Sequence, residues 1–395
     1  MKAERSSAIG TAAGAPRSVL TLNAGSSSLK FAAFEVIEGA PPRRRLKGQV
    51  ERIGAGGELV LGGARRAIGE VDHAGAVRIA IEAARAAMGT PLAVGHRIVH
   101  GGARHAAPAL LDDEVVTDLA ALVDLAPLHQ PDGLAAVRAA RAAYPHAAQV
   151  ACFDTAFHRT EPWAADTYAI PQRFFAQGVR RYGFHGLSYE WIAGRLRRDY
   201  PELAEGRVVV LHLGNGASAC AMAGGRSQGC SMGFSPLGGL PMGTRCGEID
   251  PGVLLYMMRL GMDPGQIEDT LYRRSGLCAL SGGESDMRAL LASPAPEAAR
   301  AVGYFVRRVR REVAAMAADL GGIDGLVFTG GIGENAAPIR AAVIEGLGFL
   351  GLALDAGANS AGAELIGAGP VAALRLGTDE EAVIAAAAAR LVSTA

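Results

Sequence analysis

Lysine is nearly absent: of 395 residues only Lys2, Lys30 and Lys47 carry it. A phosphate loop of the Walker type needs Gly-Lys-Ser/Thr, and none of the three stands in one, so that nucleotide fold is excluded. The H-R-D and V-A-I-K segments of protein kinases are missing as well. Cysteine is sparse and odd in number, five in all, with no C-x-x-C pair. That excludes a disulfide frame or zinc site and reads as free thiols in a reducing cytoplasm. Only Cys246 follows an arginine, a neighbour that can lower a thiol pKa. Net charge is lacking too, with 39 Lys+Arg against 39 Asp+Glu. Neutralising a polyanion needs a clustered basic excess, which argues against nucleic acid as a partner. No run of about 18 apolar residues is free of charge and glycine, so no membrane span is predicted. Residues 1–16 have no apolar core and read as a floppy extension, not a secretory signal.

What is present fits a globular enzyme. Half the residues are apolar, a fifth are charged, and 53 are glycine. The length suits roughly two domains of 150 to 200 residues. Residues 18–23 (SVLTLN) read as a strand, followed by a Gly/Ser turn and the run FAAFEV, which together make a hairpin. The same grammar returns at 207–213 (RVVVLHL), then GNGAS, then ACAMAGG. A third apolar strand, 325–329, runs into a glycine-rich loop at 330–335, with a helical segment from Ala337. The echo of one hairpin in the other points to a duplicated α/β architecture whose lobes face across a cleft. Ala-rich stretches of helical period, 76–88 and 134–143, lie between them. The expected division is an extension (1–16), an N-terminal lobe (17–160) and a C-terminal nucleotide-binding lobe (161–382). A last Ala-rich helix, reaching from 380 toward the C-terminus (383–395), packs back on the first lobe.

With lysine so rare, phosphates must be met by backbone N–H groups of the small-residue hairpins and by arginine. The glycines at 330–333 lack the third spaced glycine of a dinucleotide site, so a Rossmann reading is weak. AVGHRIV places Arg97 inside an apolar strand, and VACFDTAF places Asp154 at the end of another. A buried arginine must be paired or must face a ligand; Arg97 and Asp154 could equally be one structural ion pair. Arg245 follows PLGGLPMG, where no packing argument demands it. Phosphoryl transfer needs cations around the equatorial oxygens, a metal on the leaving phosphates and a carboxylate or amide to hold it. Arg97, Arg245, Asp154, Asn23 and the Glu380-Glu381 pair supply those parts. His129 and His185 stand in Pro/Gly-punctuated loops suited to a site.

These residues sit in LNAGSSSLK, GHRIVHGG, LAPLHQP, FDTAFH, YGFHG, HLGNG, MGTRCGEIDP, FTGGIGEN and TDEE. Together, and in that order, they resemble the acetate/propionate kinase family, from about Ser18 to the C-terminus. The resemblance implies a duplicated actin-like (ribonuclease H-like) ATPase fold with an interdomain cleft. It also implies reversible, Mg²⁺-dependent (or Mn²⁺-dependent) transfer from ATP to a short carboxylic acid, and a homodimer. By motif, Asn23 and Glu380 organise the metal. Lys30 and His212-Leu213-Gly214-Asn215-Gly216 meet phosphates. Asp286-Met287-Arg288 and Gly330-Gly331-Ile332-Gly333-Glu334-Asn335 hold the nucleotide. Arg97 binds the substrate carboxylate, Asp154 is the essential acid, and His185 and Arg245 stabilise the moving phosphoryl group. Val99, Leu128, Phe184 and Pro236 form an apolar pocket that favours acetate, with propionate the near alternative. A non-catalytic ATP-binding scaffold is the reading from another class, against which Arg97, Asp154 and Arg245 together weigh. Some positions depart from the family pattern: YGFHG is followed by Leu187-Ser188-Tyr189 where the family has Thr-Ser-His, and Gly238 replaces a glutamate.

Overall fold

The computed structural model describes residues 17–393 except 26 and 128. The expected extension (1–16) and Leu128 therefore lie outside the described residues. The first sheet contains β1 (Ser18–Ala24), β2 (Ser28–Glu35), β3 (Arg43–Glu51), β4 (Gly57–Leu61), β5 (Ala64–Gly69), β6 (Ala93–Ile98), β7 (Ala109–Leu110) and β8 (Ala148–Phe153), in the order β5-β4-β3-β2-β1-β6-β8-β7. The second contains β9 (Arg207–Leu213), β10 (Ala217–Ala223), β11 (Arg226–Cys230), β12 (Gly325–Thr329) and β13 (Ala372–Arg375), in the order β11-β10-β9-β12-β13.

The duplication is explicit in the pairing. In the first sheet β3, β2 and β1 run antiparallel, then β6 and β8 add in parallel. In the second, β11, β10 and β9 run antiparallel, then β12 and β13 add in parallel. Two copies of one five-strand order make the two-lobed actin-like architecture expected from the sequence. The central strands are apolar over nearly their whole length, because helices cover both faces; β1 and β12 are buried at every position.

One local expectation fails. Residues 330–335 are a short helix, Gly330–Asn335, not a loop. Gly330 makes the strand-to-helix corner at φ +75°, and a Cβ there would lie 2.8 Å from the Leu213 carbonyl oxygen. Once past that corner the remaining residues face no obstacle to helical winding. The Glu334 carboxylate then reaches back to the Gly330 and Thr378 N–H groups at 3.1 and 3.2 Å, fixing the helix start against the next loop.

The final helix, Glu380–Ser393, follows β13 of the second sheet yet packs on β1, β6 and β8 of the first. Ile384 and Ala388 fill the space above Gly95, where a Cβ would meet Ile384 Cγ2 at 2.5 Å. The helix Gly186–Asp199 also spans the lobes: Leu187 packs with the first sheet's core and Ile192 and Leu196 with the second's. Trp191 Nε1 on that helix donates to the Gly377 carbonyl at 2.9 Å. The ends of both sheets thus meet where β1, β6, β8, β9, β12 and β13 finish, at the carboxyl edge where open α/β sheets hold ligands. No helix among the described residues is long and apolar enough to cross a membrane.

Candidate active site

Arg97 leaves the end of β6 and Asp154 directly follows β8, a parallel neighbour, so register alone brings them together. Arg97 Nε donates to Asp154 Oδ2 at 3.0 Å, and Nη1 donates to the Ala24 carbonyl at 3.3 Å. Asp154 is 1% exposed, and its second oxygen, Oδ1, has no hydrogen-bond partner among the described residues. A buried carboxylate oxygen without a donor costs free energy unless a ligand or ion completes it. Burial opposes the charge on Arg97, but Asp154 and Glu380 raise it above the ordinary guanidinium range.

Asn23, at the end of β1, donates from Nδ2 to Glu380 Oε2 at 2.9 Å and to Glu381 Oε1 at 3.1 Å. Burial works against the Glu380 carboxylate, yet Arg97, His212 and Lys30 hold it below the usual carboxylate range. Asn23 Oδ1 lies 3.5 Å from Arg97 Nη1. One amide and the carboxylates at the start of the last helix thus face the Arg97–Asp154 pair across the lobe junction.

From the second lobe, His185 takes a left-handed backbone (φ 58°, ψ 24°). Such a conformation costs a non-glycine residue about 1 to 2 kcal/mol. It is held by Gly186 N–H donating to the Asp154 carbonyl at 2.8 Å and by His185 Nδ1, 2.8 Å from Ser218 Oγ. The ring stacks on His212, centroids 4.2 Å apart, and His212 Nδ1 lies 2.8 Å from Ser188 Oγ. Burial, reinforced by His212, Arg97 and Arg245, holds His185 well below the normal imidazole range, so it is neutral. Burial pushes His212 down to about 4. Arg245 Nη2 donates to His129 Nε2 at 3.0 Å, and Nη1 donates to the Pro236 carbonyl at 3.2 Å. Among the described residues Arg245 has no carboxylate partner. Its charge is left for an incoming anion.

A cavity of about 210 Å³ collects Arg97, Asp154, His185, Arg245 and His129 with Val99, Phe184 and Pro236. A second cavity of about 720 Å³ is lined by Gly214, Asp286, Met287, Arg288, Gly331, Ile332 and Asn335, with Ser285, Leu291 and Pro338. Asn215 lines both, so the two are adjacent. One holds cations beside a small apolar wall, the other an open apolar shelf, as a small acid and a nucleotide would require.

Other expected residues stand back from the cavities. Lys30 is exposed and lines neither, although its charge bears on Glu380 and His212. Leu213 is core. Gly330 forms the corner, Glu334 staples the helix, and Gly333 packs against Phe328. Asp286, which does line the second cavity, spends one carboxylate oxygen capping its own helix, accepting from Arg288 N–H at 2.8 Å. Cys246 is not a softened thiol: burial pushes it up. Gly238 lines neither cavity. The sequence reading missed Ser218 and Ser188, which hold the two stacked histidines; Ser218 was detectable as a polar residue inside an apolar strand.

A model of the acetokinase family matches residues 18–386. The acetate kinase of Methylocella silvestris is 49% identical over 389 residues, spanning 93% of this chain and 96% of that one. That of Rhizobium meliloti is 48% identical over 388 residues, spanning 95% and 98%. Among solved structures, a propionate kinase from Francisella tularensis has a TM-score of 0.86 at 33% identity, covering 94% of this chain and 98% of that one. Porphyromonas gingivalis acetate kinase has a TM-score of 0.84 at 33% identity, covering 95% and 100%.

Proposed function

The chain belongs to the acetokinase family, and from that premise we propose that it transfers the terminal phosphoryl group of ATP to acetate, reversibly, giving acetyl phosphate and ADP. The observation that carries the reading is a mismatch inside one cavity. Among the described residues a half-buried guanidinium, Arg245, lacks an anion there, and a buried carboxylate oxygen, Asp154 Oδ1, lacks a donor. Structural ion pairs leave neither over.

Acetate is already ionised near neutral pH, because a free carboxylic acid titrates well below 7. No base is needed, so Asp154 fixes Arg97 and aligns the acceptor. Arg97 holds the acid's carboxylate with its methyl group against Val99, Phe184 and Pro236; Leu128 belongs to this wall by motif. A carboxylate oxygen forms the new P–O bond as the bond from the γ-phosphorus to the β–γ bridging oxygen breaks, and that electron pair leaves on ADP. The difficulty is bringing two anions together. Arg97 and Arg245 lower that repulsion, and the neutral His185 donates a hydrogen bond to the moving group. His212, Gly214, Asn215, Gly216 and Lys30 bear on the phosphates. Asp286, Met287, Arg288 and the Gly330–Asn335 segment flank the adenosine.

The residues present fit a hard divalent cation, Mg²⁺ or Mn²⁺. Glu380 is held ionised, Asn23 offers its amide oxygen, and Asp154 Oδ1 is an unsatisfied oxygen nearby. Among the described residues no three acidic, His or Cys side chains form a closed cage. Mg²⁺ is ordinarily held by one or two carboxylates plus phosphates and water. When bound, the ion would neutralise charge on the leaving phosphates.

The assay is formation of hydroxamate-trappable acyl phosphate with ATP, Mg²⁺ and acetate, propionate or butyrate. Product with acetate at the highest kcat/KM is expected. No acyl phosphate from any acid would leave an ATP-binding scaffold, and a clear preference for propionate would make this a propionate kinase. Self-association into a homodimer belongs to the same reading. It is supported by the helix Pro251–Arg259, which buries no residue and exposes Leu255, Tyr256 and Met258 by more than half. A cytoplasmic setting is supported by five free cysteines.

A further inference from the structure

Tyr189 stands where the family pattern has histidine, and its ring is fully buried behind the site. Its phenol oxygen lies 2.5 Å from Ser218 Oγ, whose other side-chain neighbour is His185 Nδ1 at 2.8 Å. Ser218 has one hydroxyl proton, and if both neighbours donated to Ser218 that proton would have no side-chain acceptor among the described residues, so two wirings remain. In the first, the phenol donates to Ser218 and Ser218 donates to Nδ1. In the second, Nδ1–H donates to Ser218, Ser218 donates to the phenol oxygen, and the phenol proton must find another acceptor.

The second direction fails at that last step. Burial raises the Tyr189 hydroxyl well above its ordinary range, so the proton stays. Among the described residues the phenol has Ser218 as its hydrogen-bond partner. The backbone group of His212 that bears on it lowers its pKa, as an N–H donor does. A buried O–H without an acceptor is costly to leave. The first direction satisfies every group and makes His185 Nδ1 an acceptor, which leaves its proton on Nε2.

Nε2 faces the cavity. A Cβ built on Gly216 would lie 3.3 Å from it and 3.9 Å from Arg245 Nη1, so the imidazole and the guanidinium converge on one spot. We propose that Tyr189, acting through Ser218, is a positioning residue that fixes the tautomer of His185 and so aims an Nε2–H donor at the transferring phosphoryl group. This rests on the phosphoryl-transfer reading of the site. The opposite tautomer would aim a lone pair at anionic oxygens. Because negative charge on those oxygens redistributes as the group moves, loss of the donor acts on kcat more than on KM.

The test is Tyr189→Phe, with Ser218→Ala as a second variant, each ¹⁵N-labelled. Long-range ¹H–¹⁵N spectra of His185 read the tautomer without turnover. The parent is expected to show an Nε2–H imidazole, and both variants a mixture with Nδ1–H. In turnover, kcat falls about 10- to 100-fold, while KM for ATP and acetate stays within about twofold. Tyr189→His, which returns a ring N–H donor to the same place, recovers most of kcat. An unchanged tautomer in both variants, or kcat within twofold of the parent in both, overturns the proposal. A parent that makes no acyl phosphate fails the broader reading instead, and the spectra still judge the wiring.

Discussion

Replacing Arg97 with alanine removes a cation from a place where its absence is felt twice. Asp154 is 1% exposed and takes its side-chain hydrogen bonds from Arg97, at 3.0 Å through Nε. Truncating the arginine leaves that buried carboxylate with a side-chain partner on neither oxygen among the described residues, since Oδ1 already lacks one. Breaking a buried pair from one side costs about 3 to 5 kcal/mol. With one lobe as the cooperative unit, that is a fall of about 10 °C in Tm. The deficit should shrink as pH is lowered, because the unpaired carboxyl, pushed up by burial, can take a proton and shed its charge. Catalysis loses the carboxylate anchor and one charge stabiliser, about 10²- to 10³-fold or more in kcat/KM.

The double variant Arg97→Ala/Asp154→Ala separates the two effects. With both partners gone no buried charge is stranded, so Tm should return to within a few degrees of the parent while activity stays lost. Differential scanning calorimetry at pH 6 and pH 8, run beside the hydroxamate assay, reads both. A single variant that melts with the parent at pH 8 would mean that Asp154 does not depend on Arg97. A double variant with near-parental kcat/KM would remove Arg97 from the chemistry.

Arg245→Ala should behave differently, because its partners are a ring nitrogen of His129, a carbonyl and a thioether, with no carboxylate among the described residues. Its kcat is expected to fall about 10²- to 10³-fold with Tm nearly unchanged, and full activity on acetate would refute its role. Val99→Ala enlarges the apolar wall of the 210 Å³ cavity. The ratio of kcat/KM for propionate over acetate should rise by about tenfold, the worth of a methylene; an unchanged ratio would place the methyl group elsewhere. His96, fully buried against Gln149, is pushed down to about 4 by burial, below an unfolded value near 6.5. Its folded pKa is depressed, so between pH 6.5 and 4 the unfolded chain binds the proton and stability falls as pH falls. His96→Gln should flatten the slope of unfolding free energy in that window by about 1.4 kcal/mol per pH unit, measured by urea unfolding.

The legible parts were those where one strand's composition states its own purpose. β-Branched runs stopped by Gly and Ser announce hairpins, and a charge inside such a run, Arg97 or Asp154, must answer to something across the sheet. The Gly330–Asn335 helix was hidden because glycine clusters read as loops, whereas one glycine at φ +75° was enough to turn the corner. Ser218 carries the same polar-in-apolar signal as Arg97 but a weaker one, since a serine can satisfy itself locally while a guanidinium cannot. Its partners Tyr189 and His185 lie about thirty residues away in sequence, and only the packing of the Gly186–Asp199 helix on β10 joins them. Cys246 shows the converse: an adjacent arginine in sequence says nothing about where its guanidinium points.

The balance of charge at the junction supports the proposed divalent ion in a site so poor in lysine. Arg97 and Lys30 face Asp154, Glu380 and Glu381, which leaves Arg245 as the cation without a carboxylate among the described residues before any substrate enters. A carboxylate and a triphosphate then add several negative charges, more than Arg245 alone can offset. His185 and His212 cannot supply one, since burial holds both below the normal imidazole range, helped by Arg97 and Arg245 at His185 and by Lys30 and Arg97 at His212. A divalent ion is the remaining source, and its demand falls on oxygen atoms already held ionised or unsatisfied, Glu380 and Asp154 Oδ1. Glu380→Gln should therefore raise the Mg²⁺ concentration needed for half-maximal activity by about 10- to 100-fold while leaving Tm near the parent's, because Asn23 can still meet an amide oxygen. An unchanged Mg²⁺ requirement would mean that the ion is held by the nucleotide alone.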